Sequence, residues 1–335
     1  MEEVFEAVAY TRTPTLADLF SFTEPREYKV RQLGERLDIP SGASIIYSTP
    51  FLPKEHLDAW INNYVNLPYA QYLKTQISKN DWKEIRRLFI NLDNKILAKI
   101  WPDFVNFEKR RRKEIPFILT QLKEYKTPKV FDACLGSGAT TFGLKLEGVE
   151  NIVSNEIDND LIAIAQQEAN KLRVHLNINS HDWRDLKKVY HEEFNAVLCL
   201  GNSLTYLFKR KDQLKTLKNF YEIIKPTGKL IIDERNYAEH FLKGKKMYKF
   251  SGKIVYCGDD KVKAHPIHVS KNMIVMEYQP KNGEERAHLV MYPFKAGEMK
   301  ALLKRAGFRD IQTFGDYKKE FNPEQPEFIT YVAKK

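Results

Sequence analysis

The run Phe131-Asp132-Ala133-Cys134-Leu135-Gly136-Ser137-Gly138 sets two glycines directly after a buried apolar stretch and directly before a helical one. Glycines there allow a tight turn and let the backbone approach a ligand closely, although a plain strand-to-helix turn would use them too. Thr141 stands where a dinucleotide fingerprint would have its third glycine, which argues against NAD or FAD. Glu156 follows Gly136 by 20 positions, at the end of the next strand, where a carboxylate can accept from both hydroxyls of a ribose. Asp158 and Asp160 fall at the start of the following helix and read as helix-start charges. Past the third-strand region comes His181-Asp182-Trp183. Asp182 can accept from an adenine amino group while the Trp183 indole stacks on the ring; the alternative is an exposed aspartate beside a packing tryptophan.

Two further polar residues follow apolar strands. Gly201-Asn202-Ser203 emerges from Ala196-Val197-Leu198-Cys199-Leu200, and a buried amide there must find partners. Arg235 follows Leu230-Ile231-Ile232 and needs a counter-ion. A guanidinium can fork a ligand carboxylate through two parallel hydrogen bonds, or Arg235 can pair with Asp233 or Glu234. The 8 histidines are scattered without metal-ligand spacing, and no Ser/His/Asp arrangement presents itself.

These residues need a scaffold of parallel strands. After Thr127-Pro128 the pattern alternates: strand 129–133, helix 139–147, strand 151–155, helix 158–172, strand 194–200, helix 211–224, strand 229–233. Such alternation predicts an α/β, doubly wound sheet with helical crossovers. Between 246 and 294 the helices vanish, and 252–256, 264–270, 273–279 and 287–292 read as an inserted antiparallel sheet over the site. A helix at 297–306 and strands near 309–314 and 328–333 complete the chain. Upstream, Trp82, Ile85, Phe89, Leu92, Ile96 and Ile100 recur at helical spacing, so one long helix is expected, with Asn80 and Asp81 as capping residues and Pro102 as its end. A second helix over 108–125 begins with the basic cluster Lys109 to Lys113. The reading is a mainly helical region over 1–100, acting as a cap or a self-association surface, and one catalytic domain over 101–335.

Composition supports packed cores: 43% of the 335 residues are hydrophobic and 12% aromatic. Three widely spaced cysteines, Cys134, Cys199 and Cys257, are too few for a disulfide framework. The N-terminus has no secretory pattern and no apolar run spans a bilayer, so a soluble cytoplasmic protein without membrane contact is expected. Residues 1–100 are neutral, with 13 basic and 13 acidic side chains, so the net charge of +10 lies beyond them. Residues 201–250 alone hold 12 basic against 5 acidic, either a solvated lysine-rich surface or an attractor for an anionic substrate or nucleic acid.

Residues 129–335 resemble the class I S-adenosylmethionine-dependent methyltransferases, and within them the glycine N-methyltransferase family. The similar motifs are the glycine turn, Leu198-Cys199-Leu200-Gly201-Asn202-Ser203, Ile232-Asp233-Glu234-Arg235-Asn236-Tyr237, Met291-Tyr292-Pro293 and Gly315-Asp316-Tyr317. The resemblance implies a seven-stranded sheet with S-adenosyl-L-methionine as cofactor. It implies that Asp132, Gly136, Gly138 and Leu200 border the cofactor and that Glu156, Asp182 and Trp183 hold its ribose and adenine. Arg110 would take its carboxylate, with Arg111 or Arg112 as alternatives. Asn202, Arg235 and Tyr292 would form the pocket of a small amine or amino-acid acceptor, with Arg235 on the acceptor's carboxylate. Cys134 departs from the glycine or alanine usual at its place, and the first 100 residues have no recognisable counterpart. Methyl transfer from a sulfonium mainly requires alignment of a neutral amine, so no histidine base is expected. Two rival readings are a nucleic-acid (RNA) methyltransferase using the basic 201–271 region and a non-catalytic cofactor-binding regulator or assembly subunit. The first would want an Asp/Asn-Pro-Pro-aromatic turn where Gly201-Asn202-Ser203-Leu204 stands.

Overall fold

The computed structural model of the chain describes residues 3–11, 26–39, 41, 44–48, 51–54, 56, 68–88, 90, 92, 94–105, 107–243 and 261–335. The chain divides into two units, Met1–Asp93 and Asn94–Lys335.

In the first unit, β1 (Val4–Thr11) is the hub of an antiparallel sheet. It pairs with β2 (Arg26–Gln32), β3 (Ser44–Ser48) and the short β4 (Leu52–Pro53). Glu6 and Arg31 face each other across β1 and β2 and form an ion pair at 2.6 Å. Two helices follow, α1 (Pro68–Gln76) and α2 (Lys79–Arg87). The expected mainly helical region is therefore wrong for its first half. Adjacent residues Ala7 and Val8 are both buried, so β1 is covered on both faces and shows none of the alternation that betrays a strand.

The expected long helix is two helices. Its stripe is shared between units: Trp82 and Ile85 are buried in the first, while Ile100 belongs to the second, on α3 (Asn94–Phe104). Phe89 lies outside the described residues. The start of α2 is held by Ser78, whose hydroxyl accepts from the Asp81 amide at 3.1 Å, rather than by Asn80 or Asp81. Pro102 does not end α3, which runs on to Phe104 with the Val105 amide bonded to the Trp101 carbonyl at 2.8 Å. The unit boundary consequently falls at 93/94, not 100/101.

The second unit begins with α3 and α4 (Phe107–Leu122) and continues as a mixed seven-stranded sheet. In chain order its elements are β5 (Val130–Asp132), α5 (Ala139–Leu146), β6 (Ile152–Asn155), α6 (Asn159–Leu172) and β7 (Ile178–Asn179). After a 3-10 turn, Trp183–Lys188, come β8 (Phe194–Cys199), α7 (Arg210–Ile223) and β9 (Ile224–Arg235). Next is a separate antiparallel sheet of β10 (Val262–Val269), β11 (Ile274–Pro280) and β12 (Ala287–Met291). The chain closes with α8 (Glu298–Ala306), β13 (Arg309–Gly315) and β14 (Phe328–Lys334). The expected strand at 252–256 and Cys257 lie outside the described residues.

Spatial order in the large sheet is β13-β14-β9-β8-β5-β6-β7, parallel from β9 to β7 and antiparallel at β14. The order reverses between β5 and β8, and such a switch point opens a crevice at the strands' carboxyl ends. Ile115, Ile118 and Leu122 of α4 pack with Leu144 of α5 against Val130, Leu198 and Ile231, covering one sheet face. Phe131, of opposite pleat, meets Phe194 at 5.1 Å on the other. Met276, Tyr278, Leu289 and Met291 of the smaller sheet share a core with Ile100, Phe104, Tyr237 and Phe328, which fixes that sheet beside the crevice. Among the described residues no helix is long and apolar enough to cross a membrane.

Candidate active site

The glycine turn holds its shape through left-handed backbone and a web of buried acceptors. Gly136 has φ 54° and Gly138 φ 91°, and a Cβ added at Gly138 would collide with the Phe142 ring. Asp132, 1% exposed, accepts from the Thr141 hydroxyl at 2.7 Å and the Cys134 amide at 3.3 Å, and burial pushes its carboxyl up from the ordinary value. The Thr141 side chain thus braces the turn at the place where a dinucleotide site has glycine.

Glu156 bridges two loops. It accepts from the amides of Gly136 at 2.9 Å, Ile157 at 2.9 Å and Asp158 at 3.0 Å. Burial raises its carboxyl, opposed by those amides. Asp158 caps α6, as its helix-start position suggested, accepting from the Asp160 and Leu161 amides. Trp183 donates its indole N–H to the Ala133 carbonyl at 2.7 Å, which seats the ring at the end of β5. Asp182 lies next to it, held below the ordinary range mainly by hydrogen bonds from Arg184, whose Nε stands 2.9 Å from Oδ1. Leu200 accepts at its carbonyl from the Cys134 thiol at 3.0 Å and the Ser203 hydroxyl at 2.8 Å. The small Cys134 therefore links the turn to the end of β8.

Across the crevice, a cavity is lined among others by Trp101, Arg110, Asn202, Arg235, Tyr278 and Phe328. Asn202 is 3% exposed, in left-handed backbone with φ 68°. Its Nδ2 donates to the Tyr237 hydroxyl at 2.7 Å and Thr205 Oγ1 at 3.1 Å, and its Oδ1 accepts from the Arg235 amide at 2.9 Å. The buried amide has found its partners and ties β8 to β9. Asp233 accepts from the Gly201 amide at 3.1 Å and the Asn202 amide at 2.6 Å, anchoring that turn. Arg235 is 6% exposed, with its guanidinium 5.1 Å from the centre of the Phe328 ring.

Arg110 is the member of its basic cluster that reaches this cavity. Arg111 instead pairs with Glu147 at 3.1 Å on the surface. Tyr292, expected in the pocket, is not among this cavity's lining residues, and its hydroxyl donates to Glu298 Oε1 at 2.8 Å. The reason is parity, because Met291 at the end of β12 lines the cavity and the next residue points elsewhere. Tyr278 of β11 is a tyrosine that does line it, with Trp101 packed edge-on at 6.0 Å.

Sequence reasoning also missed Glu114, Thr140, Tyr237 and Trp101. Glu114 carried a signal, an acidic residue four positions after Arg110 on one helix, and Tyr237 closes one of the family motifs named above. Among the described residues no group of His, Cys, Asp and Glu could hold a metal ion.

The strand order, the glycine turn and the carboxylate ending β6 define a class I S-adenosylmethionine-dependent methyltransferase. A family model described as a methyltransferase domain matches residues 130–228. Over 235 residues the chain is 35% identical to a glycine/sarcosine N-methyltransferase of Parasynechococcus marenigrum (strain WH8102), covering 70% of this chain and 81% of that protein. A relative of the same description from Aphanothece halophytica is 34% identical over 235 residues, covering 70% and 86% respectively. Among solved structures, an S-adenosylmethionine-dependent methyltransferase from Clostridium acetobutylicum ATCC 824 shares the fold at a TM-score of 0.56 and 18% identity, covering 71% of this chain and 97% of that one. The chain belongs to the glycine/sarcosine N-methyltransferase family, enzymes that use S-adenosylmethionine.

Proposed function

We propose that this methyltransferase acts on the nitrogen of a small amino acid, glycine or sarcosine in kind, with Arg235 on the acceptor's carboxylate. The observation that carries the reading is Arg235 itself, an obligate cation 6% exposed on a cavity beside the neutral amide of Asn202. A planar guanidinium recognises a carboxylate at two points and so orients the acceptor as well as holding it. The relatives named for glycine and sarcosine support the same substrate class.

The residues present fit the cofactor. Gly136 and Gly138 admit backbone approach, Glu156 offers carboxylate oxygens at the ribose end, and Asp182 with Trp183 offers an acceptor and an aromatic face for adenine. Leu200 and Asp132 border the turn, and Arg110 is the cation for the cofactor's carboxylate. When bound, S-adenosylmethionine supplies a methyl group already activated by its sulfonium. The chain's own work is alignment and exclusion of water: Arg235 fixes the acceptor's direction while Trp101, Tyr278 and Phe328 wall the cavity with apolar surface. The acceptor's amine must be neutral to attack, and its proton is lost before transfer.

The test is an acceptor screen with methyl-labelled cofactor, comparing glycine, sarcosine, other small amines and total RNA. Label transfer to glycine or sarcosine is expected. Label found only in RNA would overturn the reading and point to the basic 201–271 region instead.

A further inference from the structure

Glu114 is a fully enclosed carboxylate, 0% exposed, that nonetheless touches the site through its partners. Its Oε2 accepts from Arg110 Nε at 3.0 Å, from Arg110 Nη2 at 2.7 Å and from the Tyr317 hydroxyl at 3.0 Å. Its Oε1 accepts from Arg110 Nη2 at 2.8 Å and from the Thr140 hydroxyl at 2.7 Å. These partners come from three places: α4 itself, the first turn of α5 directly after the glycine turn, and the loop beyond β13.

That loop is built for delivery. Asp316 and Tyr317 both adopt positive φ, 44° and 68°, which is uncommon for residues other than glycine. The Asp316 carboxylate holds the bend by accepting from the amides of Glu327 at 3.2 Å and Phe328 at 3.0 Å. The Tyr317 ring rests on Phe117 at 5.0 Å, and its hydroxyl reaches Glu114. The Gly315-Asp316-Tyr317 motif thus ends on Glu114.

A long arginine side chain is spread over many rotamers unless a planar partner fixes it, and a forked carboxylate fixes both its reach and its plane. A buried ion pair is costly to keep unless its remaining lone pairs are satisfied, and here Thr140 and Tyr317 satisfy them. We propose that Glu114, seated by Tyr317 and Thr140, is the positioning residue that holds Arg110 ready for the carboxylate at the amino-acid end of S-adenosylmethionine. The inference rests on the reading of Arg110 as that carboxylate's partner.

Calorimetric binding of two probes separates this role from a general structural one. S-adenosylhomocysteine keeps the amino-acid end, whereas methylthioadenosine lacks it. Glu114→Gln keeps the side chain's shape and is expected to weaken S-adenosylhomocysteine about tenfold while methylthioadenosine stays within about twofold. In an Arg110→Ala background the same substitution should add no further loss. Tyr317→Phe leaves the ion pair intact and should show the same selectivity at about threefold, which carries the test if Glu114→Gln does not fold. Equal weakening of both probes, or additive losses with Arg110→Ala, overturns the proposal. Loss from Arg110→Ala but none from Glu114→Gln or Tyr317→Phe overturns it while sparing the Arg110 reading; no loss from Arg110→Ala removes that reading itself.

Discussion

At the glycine-turn end of the crevice, Asp132, Gly136, Gly138 and Glu156 belong to one strand-helix-strand unit, and much of what they bond to is nearby backbone. At the end where the cavity lies, Trp101, Asn202, Arg235, Tyr278 and Phe328 come from five separate places in the chain, and Asn202 bonds two other segments by itself, at Arg235 and Tyr237 and at Met291. The first end is a local shape that a few residue types impose. The second is an enclosure that exists only when α3, the large sheet and the smaller sheet are all in place.

Substitutions should separate the two ends. The largest effect is expected for Gly138→Ala, where a left-handed backbone and the Phe142 ring both oppose a Cβ. A loss of about 2–4 kcal/mol in stability should follow, read from denaturant unfolding, together with weakened cofactor binding. An unchanged unfolding midpoint would show that the turn is more plastic than its local geometry implies.

Glu156→Ala is next. It should cost about 1–3 kcal/mol of S-adenosylhomocysteine affinity, measured by calorimetry, with acceptor KM little changed at saturating cofactor. Full affinity in a folded variant would remove Glu156 from the cofactor end. Arg235→Lys probes the other end: it keeps the charge and loses the fork, so acceptor KM should rise about tenfold while cofactor affinity holds. Wild-type acceptor kinetics would place the acceptor's carboxylate elsewhere.

A pH-dependent effect is expected on the reverse face of β9. Burial pushes the Glu234 carboxyl from 4.5 up to about 8, and only one oxygen has a partner, the Tyr331 hydroxyl at 2.7 Å. The folded chain therefore holds a proton there that the unfolded chain releases at its ordinary, lower value. This contribution to stability is complete below about pH 4.5 and is lost as pH rises through about 8. Glu234→Gln stays neutral, so its Tm should gain steadily on that of the unsubstituted chain between about pH 5 and pH 8 and hold that gain above, with little change of the difference below about pH 4.5. Parallel Tm profiles would show that the carboxyl is ionised or hydrated in the fold.

Much of the second unit was legible because strand-helix alternation has a strong period, and its elements fall within a few residues of their expected places. The positions of Glu156, Asp182 and Trp183 were legible for a related reason: each follows the carboxyl end of a strand, which in a parallel sheet faces the crevice. The first unit was not, since β1 hides its period by burying neighbouring residues. That Tyr292 lies outside the cavity's lining was not legible, because a family motif gives the neighbourhood of a side chain but not its parity on a strand.

Residue order alone carried the parallel sheet, through strand-helix alternation, and the glycine turn that departs from the dinucleotide pattern; the cofactor class came with the resemblance that the motifs carry. The cavity's enclosure came with packing. Which of three adjacent arginines faces the cavity, that Tyr278 and not Tyr292 lines it, and that Glu114 steadies Arg110 all depend on helix rotation and strand register. Those are decided by which faces find partners in three dimensions, and no spacing along the chain records them.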